Sequence, residues 1–299
     1  HTPAMAKIEK KRARQKGKAK KSTPWREAWK RLKRNRLAIA GMVILILLIL
    51  VAIFAGRIAP YGIDEQMLKV RNQPPSAAHI MGTDNYGRDI FSRVVYGARI
   101  SLPIGFICVI IAYAIGGTLG AIAAYNGGKV DNIIMRIMDI FQSIPPMLMA
   151  IAIAASLGNG VVNLILAISI SSMPARSRIV RAAILTVKRN DYIESARAIG
   201  ADSKRLLIKY MLPNAIGPIL TNFTFSVATA ILTVSSLSYI GLGITAPTPE
   251  WGSMLSAGKE LMRQAPHVLI FPGIMIMITV LALNLFGDGL RDALDPRLK

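Results

Sequence analysis

The residues best suited to chemistry lie in one stretch, 190–213. Asp191 can cap a helix, and Glu194, three residues on, completes a capping-box pattern. Ile193, Ala196 and Ile199 then give a short apolar face. Gly200 follows, where a helix-ending residue of positive φ is expected. Asp202 or Ser203 restarts a second helix with Leu206, Leu207, Tyr210 and Met211 on one side, and Pro213 is expected to end it. Two short helices at an angle, held among basic residues, are more than a connecting loop needs. The chemistry they offer is recognition: such an element suits docking into a groove on another protein.

Catalytic and metal chemistry find no such support. The phosphate-binding pattern G-x-x-x-x-G-K-[ST] is absent, and Gly241-Leu242-Gly243 has no strand–turn–helix unit around it. Any energy for uphill work must therefore come from a partner. His1, His79 and His267 are far apart and have no cysteine or carboxylate cluster, so neither a metal site nor a cofactor is expected in this chain. Cys108, the single cysteine, sits in an apolar block and reads as a small hydrophobe that forms no intrachain disulfide.

The elements that must hold the docking stretch are apolar blocks. The 299 residues are 53% hydrophobic, and the apolar residues come in long runs, the signature of a membrane protein. The expected fold is all-α and polytopic, with six spans: 37–55, 101–125, 133–157 (interrupted by Gln142, Ser143, Pro145 and Pro146), 161–173, 214–240 and 268–285. The first is long for a signal peptide, and no small-residue cleavage site follows it, so it is expected to remain as a span. Residues 1–4 precede Met5 and read as an expression remnant.

Charge sets the direction. Residues 5–36 contain 15 Lys/Arg against Glu9 and Glu27, and residues 176–213 contain nine more, so both stretches are expected in the cytoplasm. The short fourth span is needed for that; its helix is expected to run past Pro174 with a tolerated kink. The organisation is then a basic cytoplasmic tail (1–36), a first span (37–55), an external segment (56–100), a five-helix core (101–287) containing the cytoplasmic loop 176–213, and a cytoplasmic C-terminal tail (288–299). Within the tail, residues 7–21 read as disordered. Ser22, Thr23 and Pro24 signal a helix start, and Trp25, Trp29 and Leu32 give a basic amphipathic helix for the inner leaflet. Anionic lipid explains the net charge of +21 better than nucleic acid does.

No Lys, Arg or Glu stands in the middle of any of these spans, and Asp139 is within one turn of Arg136. Ion-coupled carriers usually need ionisable groups at that depth, which weighs against that class. The spans offer neutral hydrogen-bonding groups instead: Gln142 and Ser143 in the third, and Asn222, Ser226 and Thr229 among those in the fifth. These could line a wet, weakly selective path, or simply bond to their own helices.

At this point the sequence resembles a known family. Glu194-Ser195-Ala196, Gly200, and Leu212-Pro213 are similar to the "EAA" loop of ABC importer permeases, with Ser195 for an alanine and Tyr210 for an isoleucine. Residues 79–93 and 96–102, together with Met135-Arg136, Asp139, Glu250-Trp251-Gly252 and Asp295-Pro296-Arg297, resemble the C-type subunit of the dipeptide/oligopeptide/nickel permease group. The resemblance implies that residues 194–200 form a coupling helix, with Glu194, Ala196, Gly200, Leu212 and Pro213 its marked positions. It also implies a second, B-type permease subunit, two cytoplasmic ATPase subunits that bind ATP and magnesium, and an external solute-binding protein. The setting implied is a prokaryotic cytoplasmic membrane, with both termini inside. Di- and oligopeptides are the substrate expected; nickel chelates, glutathione and oligosaccharides remain alternatives. A membrane scaffold or insertase is the rival from another class.

Overall fold

The computed structural model describes residues 24–294, and the readings for residues 1–23 and 295–299 lie outside it. Among the described residues, the named elements are helices. They are α1 (Pro24–Leu32), α2 (Arg36–Ile53), α3 (Ala55–Ile58), α4 (Ile90–Asn126), α5 (Gly128–Gln142), α6 (Pro146–Leu157), α7 (Val161–Lys188), α8 (Asp191–Ala198), α9 (Ser203–Tyr239), α10 (Trp251–Gly258) and α11 (His267–Leu294).

Four of these, α2, α4, α9 and α11, are long and apolar enough to cross a membrane. The pair α5 and α6, bent by 77°, would make a fifth crossing if it spans as one. The expected count of six is thus not reached on length and apolarity alone. The fourth expected span does belong to one 28-residue helix, α7, with Pro174 inside it. Arg176, Arg178, Arg181 and Lys188 make its second half too polar to qualify. Those residues were expected in a loop, so the loop proper begins only after Lys188.

Local chemistry explains the other differences. Asp89 caps α4 by accepting from Ser92 N at 2.8 Å, so the helix starts at Ile90 and takes in residues 90–100, expected as external chain. The third span is broken where Pro145, held extended ahead of Pro146, separates α5, which stops at Gln142, from α6, which Pro146 opens. Asn35 caps α2 through Leu37 N and Ala38 N, both at 3.1 Å. The last helix runs on through 288–294, the start of the expected C-terminal tail.

Interhelical contacts fall on small residues, as they do where lipid removes the hydrophobic drive between helices. Gly120 of α4 lies so close to α7 that a Cβ there would sit 2.1 Å from Ser177 O, and Gly116, one turn earlier, would meet Met173 O at 2.4 Å. Larger apolar side chains such as Leu37, Ile46, Ile110 and Leu281 point outward. The amphipathic helix α1 turns Ala28 and Leu32 onto Ala38 and Ala293 and leaves Trp29 exposed.

Candidate functional site

The docking stretch is built on α7. Arg181 donates to both oxygens of Asp131 on α5, at 2.6 and 2.5 Å, and Arg178 pairs with Asp139. Arg136 was expected to hold Asp139; the α7–α5 crossing supplies Arg178 instead. Lys188 Nζ donates to Ala124 O at 3.0 Å and Tyr125 O at 2.7 Å, tying the end of α7 to the last carbonyls of α4. The platform beneath the loop is therefore braced by three cations of one helix.

On that platform α8 shows two different sides. Ile193 and Ala196 are buried in a cluster with Val187, Leu206, Met211 and Ala215. Ile199, expected to share that face, is instead 84% exposed, because it stands beyond the last helical residue, in the turn. Tyr192 is exposed as well, so the outward surface of the loop carries an apolar tip. Gly200 has φ +88° with open space around it; backbone conformation, not crowding, is what favours glycine there. The turn closes through Gly200 N to Arg197 O at 3.0 Å and Ala201 N to Ala196 O at 3.1 Å.

The capping expectations divide. Asp191 and Glu194 do not form a capping box: Asn190 is the N-cap residue, no side chain caps the helix, and Asn190 Nδ2 turns back to Val187 O at 3.0 Å. The two carboxylates stand in the first helical turn, where they oppose the positive end of the helix dipole. Asp202 does cap the second helix, accepting from Arg205 N at 3.3 Å. That helix does not end at Pro213. It passes through a π-helical turn, Leu206–Met211, and continues as α9 to Tyr239. Leu212 and Pro213 open the regular α-helix after that turn, a position that accommodates proline's missing N–H.

The polar residues of α9 separate by face. Asn222 is partly exposed, and Thr229 and Ser236 are exposed; each bonds to a carbonyl of its own helix, four residues back. Ser226 is buried and donates to Asn222 O at 2.5 Å, so it is turned away from the open surface. Gln142 and Ser143 are exposed at the α5–α6 bend, with Ser143 Oγ bonded to Ile140 O.

At the opposite end a buried polar knot closes the chain between α3 and α4. Asp84 accepts from Tyr86 N, Arg88 N and Arg88 Nε at 2.7–2.9 Å, forming an Asx turn between Gly82 and Gly87, both at positive φ. Arg93 donates to Ile63 O and Pro247 O, and His79 meets Asp89 at 2.9 Å. Glu250 caps α10 through Ser253 N at 2.8 Å and accepts from Ser101 Oγ. Trp251 is fully buried, with Nε1 donating to Val94 O. Sequence reasoning missed this knot because its partners are up to 157 residues apart. Among the described residues no cluster of three or more His, Cys, Asp or Glu side chains could hold a metal ion.

Helices apolar and long enough to cross a membrane, a braced turn at one end and a buried polar knot at the other describe a membrane subunit. The chain belongs to the family of binding-protein-dependent transport system inner membrane components, which matches residues 116–299. Residues 23–75 match the N-terminal transmembrane domain of oligopeptide transport permease C. Such subunits are the permeases of ABC transporters and not enzymes; ATP is hydrolysed by separate subunits. The chain is 46% identical to the dipeptide transport system permease protein DppC of Alkalihalophilus pseudofirmus, over 93% of this chain and 91% of that one. It is 48% identical to the glutathione transport system permease protein GsiD of Escherichia coli O157:H7, over 93% and 92%. Among solved structures, the MetNI methionine ABC transporter in an inward-facing conformation has the same fold, with a TM-score of 0.58, 20% identity, and coverage of 68% of this chain and 96% of that one.

Proposed function

We propose that this chain forms one side of the membrane pathway of a short-peptide importer, the other side being a second, B-type permease chain. The observation that carries the reading is the pair of relatives named for dipeptide and glutathione transport, each matched along nearly the whole chain. Glutathione is itself a short peptide, so both names indicate one substrate class. The reading includes six crossings, with α7 as the fourth, and places both termini and the α7–α9 turn in the cytoplasm. The Lys/Arg asymmetry supports that orientation.

In this reading the exposed tip, Tyr192 and Ile199, seats in a cleft of a cytoplasmic ATPase, and Ile193 and Ala196 hold the tip to the bundle. Two ATPases bind ATP with magnesium. Their closure draws the paired coupling helices together, and the spans open outward to receive peptide from an external binding protein. Membrane lipid surrounds the outward-facing apolar side chains. The exposed stripe Asn222, Thr229 and Ser236, with Gln142 and Ser143 at the bend, lines the path. Polar groups on a crossing helix are better placed against water or protein than against hydrocarbon, and none of these carries a charge.

The test is reconstitution of the chain with its second permease, ATPases and binding protein in liposomes. Import of a labelled dipeptide or tripeptide should require both ATP and the binding protein. Import independent of either would remove the chain from this class of transporter, and a complex that imports neither peptide would remove peptides as its substrate.

A further inference from the structure

The interior of the bundle holds one cation that the spans were not expected to contain. Three arginines of α7 fall within two turns, and two are matched: Arg178 with Asp139 and Arg181 with Asp131. Arg176 points elsewhere. Its guanidinium carbon lies 5.8 Å from the centre of the Tyr113 ring on α4. Its Nε is buried and makes no hydrogen bond. Tyr113 Oη is also buried; it lies beside both Arg176 and Ser226, in a geometry that makes a full hydrogen bond to neither. Four buried side-chain polar atoms lack a hydrogen-bond partner among the described residues, and three of them, on Tyr113, Arg176 and Ser177, gather where α4 meets α7. Ser177 packs against Gly120 and belongs to the helix contact itself.

The backbone is unusual at the same place. Tyr113–Gly117 is a π-helical turn within α4, a feature that inserts a residue and is frequent at functional positions. Phe223 of α9 packs on Tyr113, with ring centres 5.4 Å apart, and Phe106 meets Phe223 edge-on at 5.5 Å. Arg176 stands about 18 Å along the helix from Lys188 and about 22 Å from Val161, at 1.5 Å per residue. A guanidinium at such a position, without a carboxylate, faces either a water-filled path or an anion. The groups left unbonded at this spot are an Arg Nε–H and a Tyr hydroxyl. Both can donate, and a carboxylate, which only accepts, can satisfy them together.

Resting on the short-peptide reading above, we propose that Arg176 and Tyr113 form a station on the path that binds the free carboxylate of the peptide in transit. The station gives the weakly selective path one fixed requirement, a negative charge on the cargo, while Phe223 and Phe106 offer an apolar wall that tolerates many side chains.

The experiment uses the assembled complex in liposomes and a labelled tripeptide supplied either as the free acid or as its C-terminal amide. Arg176→Gln should lower import of the free acid at limiting concentration about 10-fold or more, the scale of a lost charge-assisted contact, and change import of the amide by less than about 2-fold. Arg176→Lys should recover part of the loss. Tyr113→Phe, which keeps the ring and removes only the hydroxyl, should show the same selective defect at about 3-fold. A photo-reactive residue at Asn222 supplies a second measurement that serves if the binding protein rejects the amide: crosslinking to the free acid should fall about 10-fold in Arg176→Gln. Equal losses for acid and amide, or unchanged crosslinking, would overturn the station. Arg176 would then meet a carboxylate of the second permease or a lipid phosphate. Failure of the wild-type complex to import either peptide would instead count against the peptide reading itself.

Discussion

Ile199 allows docking to be tested apart from folding. It is 84% exposed and makes no part of the buried cluster that holds α8, so Ile199→Asp should leave the permease folded and inserted. In the assembled transporter the side chain should lie in an ATPase cleft. Full burial of an isoleucine contributes roughly 1.5–3 kcal/mol. Removing it, and placing a carboxylate in the same apolar position, should weaken ATPase association by about 10- to 100-fold, since each 1.4 kcal/mol is about tenfold. The assay is recovery of the ATPase subunits with the tagged permease across a dilution series, with binding-protein-stimulated ATP hydrolysis measured on the same samples. Ile193→Ala is the contrast. Ile193 is 1% exposed, so its loss should cost about 2–5 kcal/mol of packing and appear first as reduced yield of folded permease. If Ile199→Asp retains full ATPase recovery and stimulated hydrolysis, the exposed tip is not the docking element.

Three further outcomes are expected. Gly200→Val should uncouple transport from ATP hydrolysis, whereas Gly200→Asn, which tolerates φ near +88°, should keep most of it; equal behaviour of the two would show that the backbone geometry is not what matters. Gly120→Val must displace α7, because its Cβ would stand 2.1 Å from Ser177 O, so a loss of about 1–3 kcal/mol should appear as a lower aggregation temperature in detergent. In a Cys108→Ser background, an impermeant thiol reagent added from outside should label Lys259→Cys and miss Lys204→Cys; labelling of position 204 would refute the six-crossing arrangement.

The legible parts of the molecule were those fixed by neighbours in sequence. Apolar runs located the helices, the positive φ of Gly200 followed from a local helix-ending pattern, and Asp202 capped as its position suggested. The misreadings arose where a distant contact or an unusual turn prevailed. Pro213 looked like a helix end, but a π-turn ahead of it lets α9 continue. Asp139 had Arg136 one turn away and chose Arg178 across the helix crossing. Ser226 and Thr229 look alike in sequence, and only packing turns one inward and the other out. Arg176 falls in the expected loop 176–213 because the basic run that it opens reads as cytoplasmic; the helix was expected to run past Pro174, but it continues much further, to Lys188.

The unbroken run of α9 has a mechanical consequence. From Ser203, beside the docking turn, to Tyr239 at the far end, the helix has 37 residues, or about 55 Å at 1.5 Å per residue. If the α7–α9 turn docks on an ATPase as proposed, this helix acts as a lever. A tilt of only about 5° at the docking turn displaces the other end by about 5 Å, comparable to one helical turn. The π-turn at Leu206–Met211 lies close to the driven end, so compliance there would absorb small jostling of the docking helix while larger strokes travel the full length of the rod. Stiffening that turn should make the transporter respond to smaller motions of its motor.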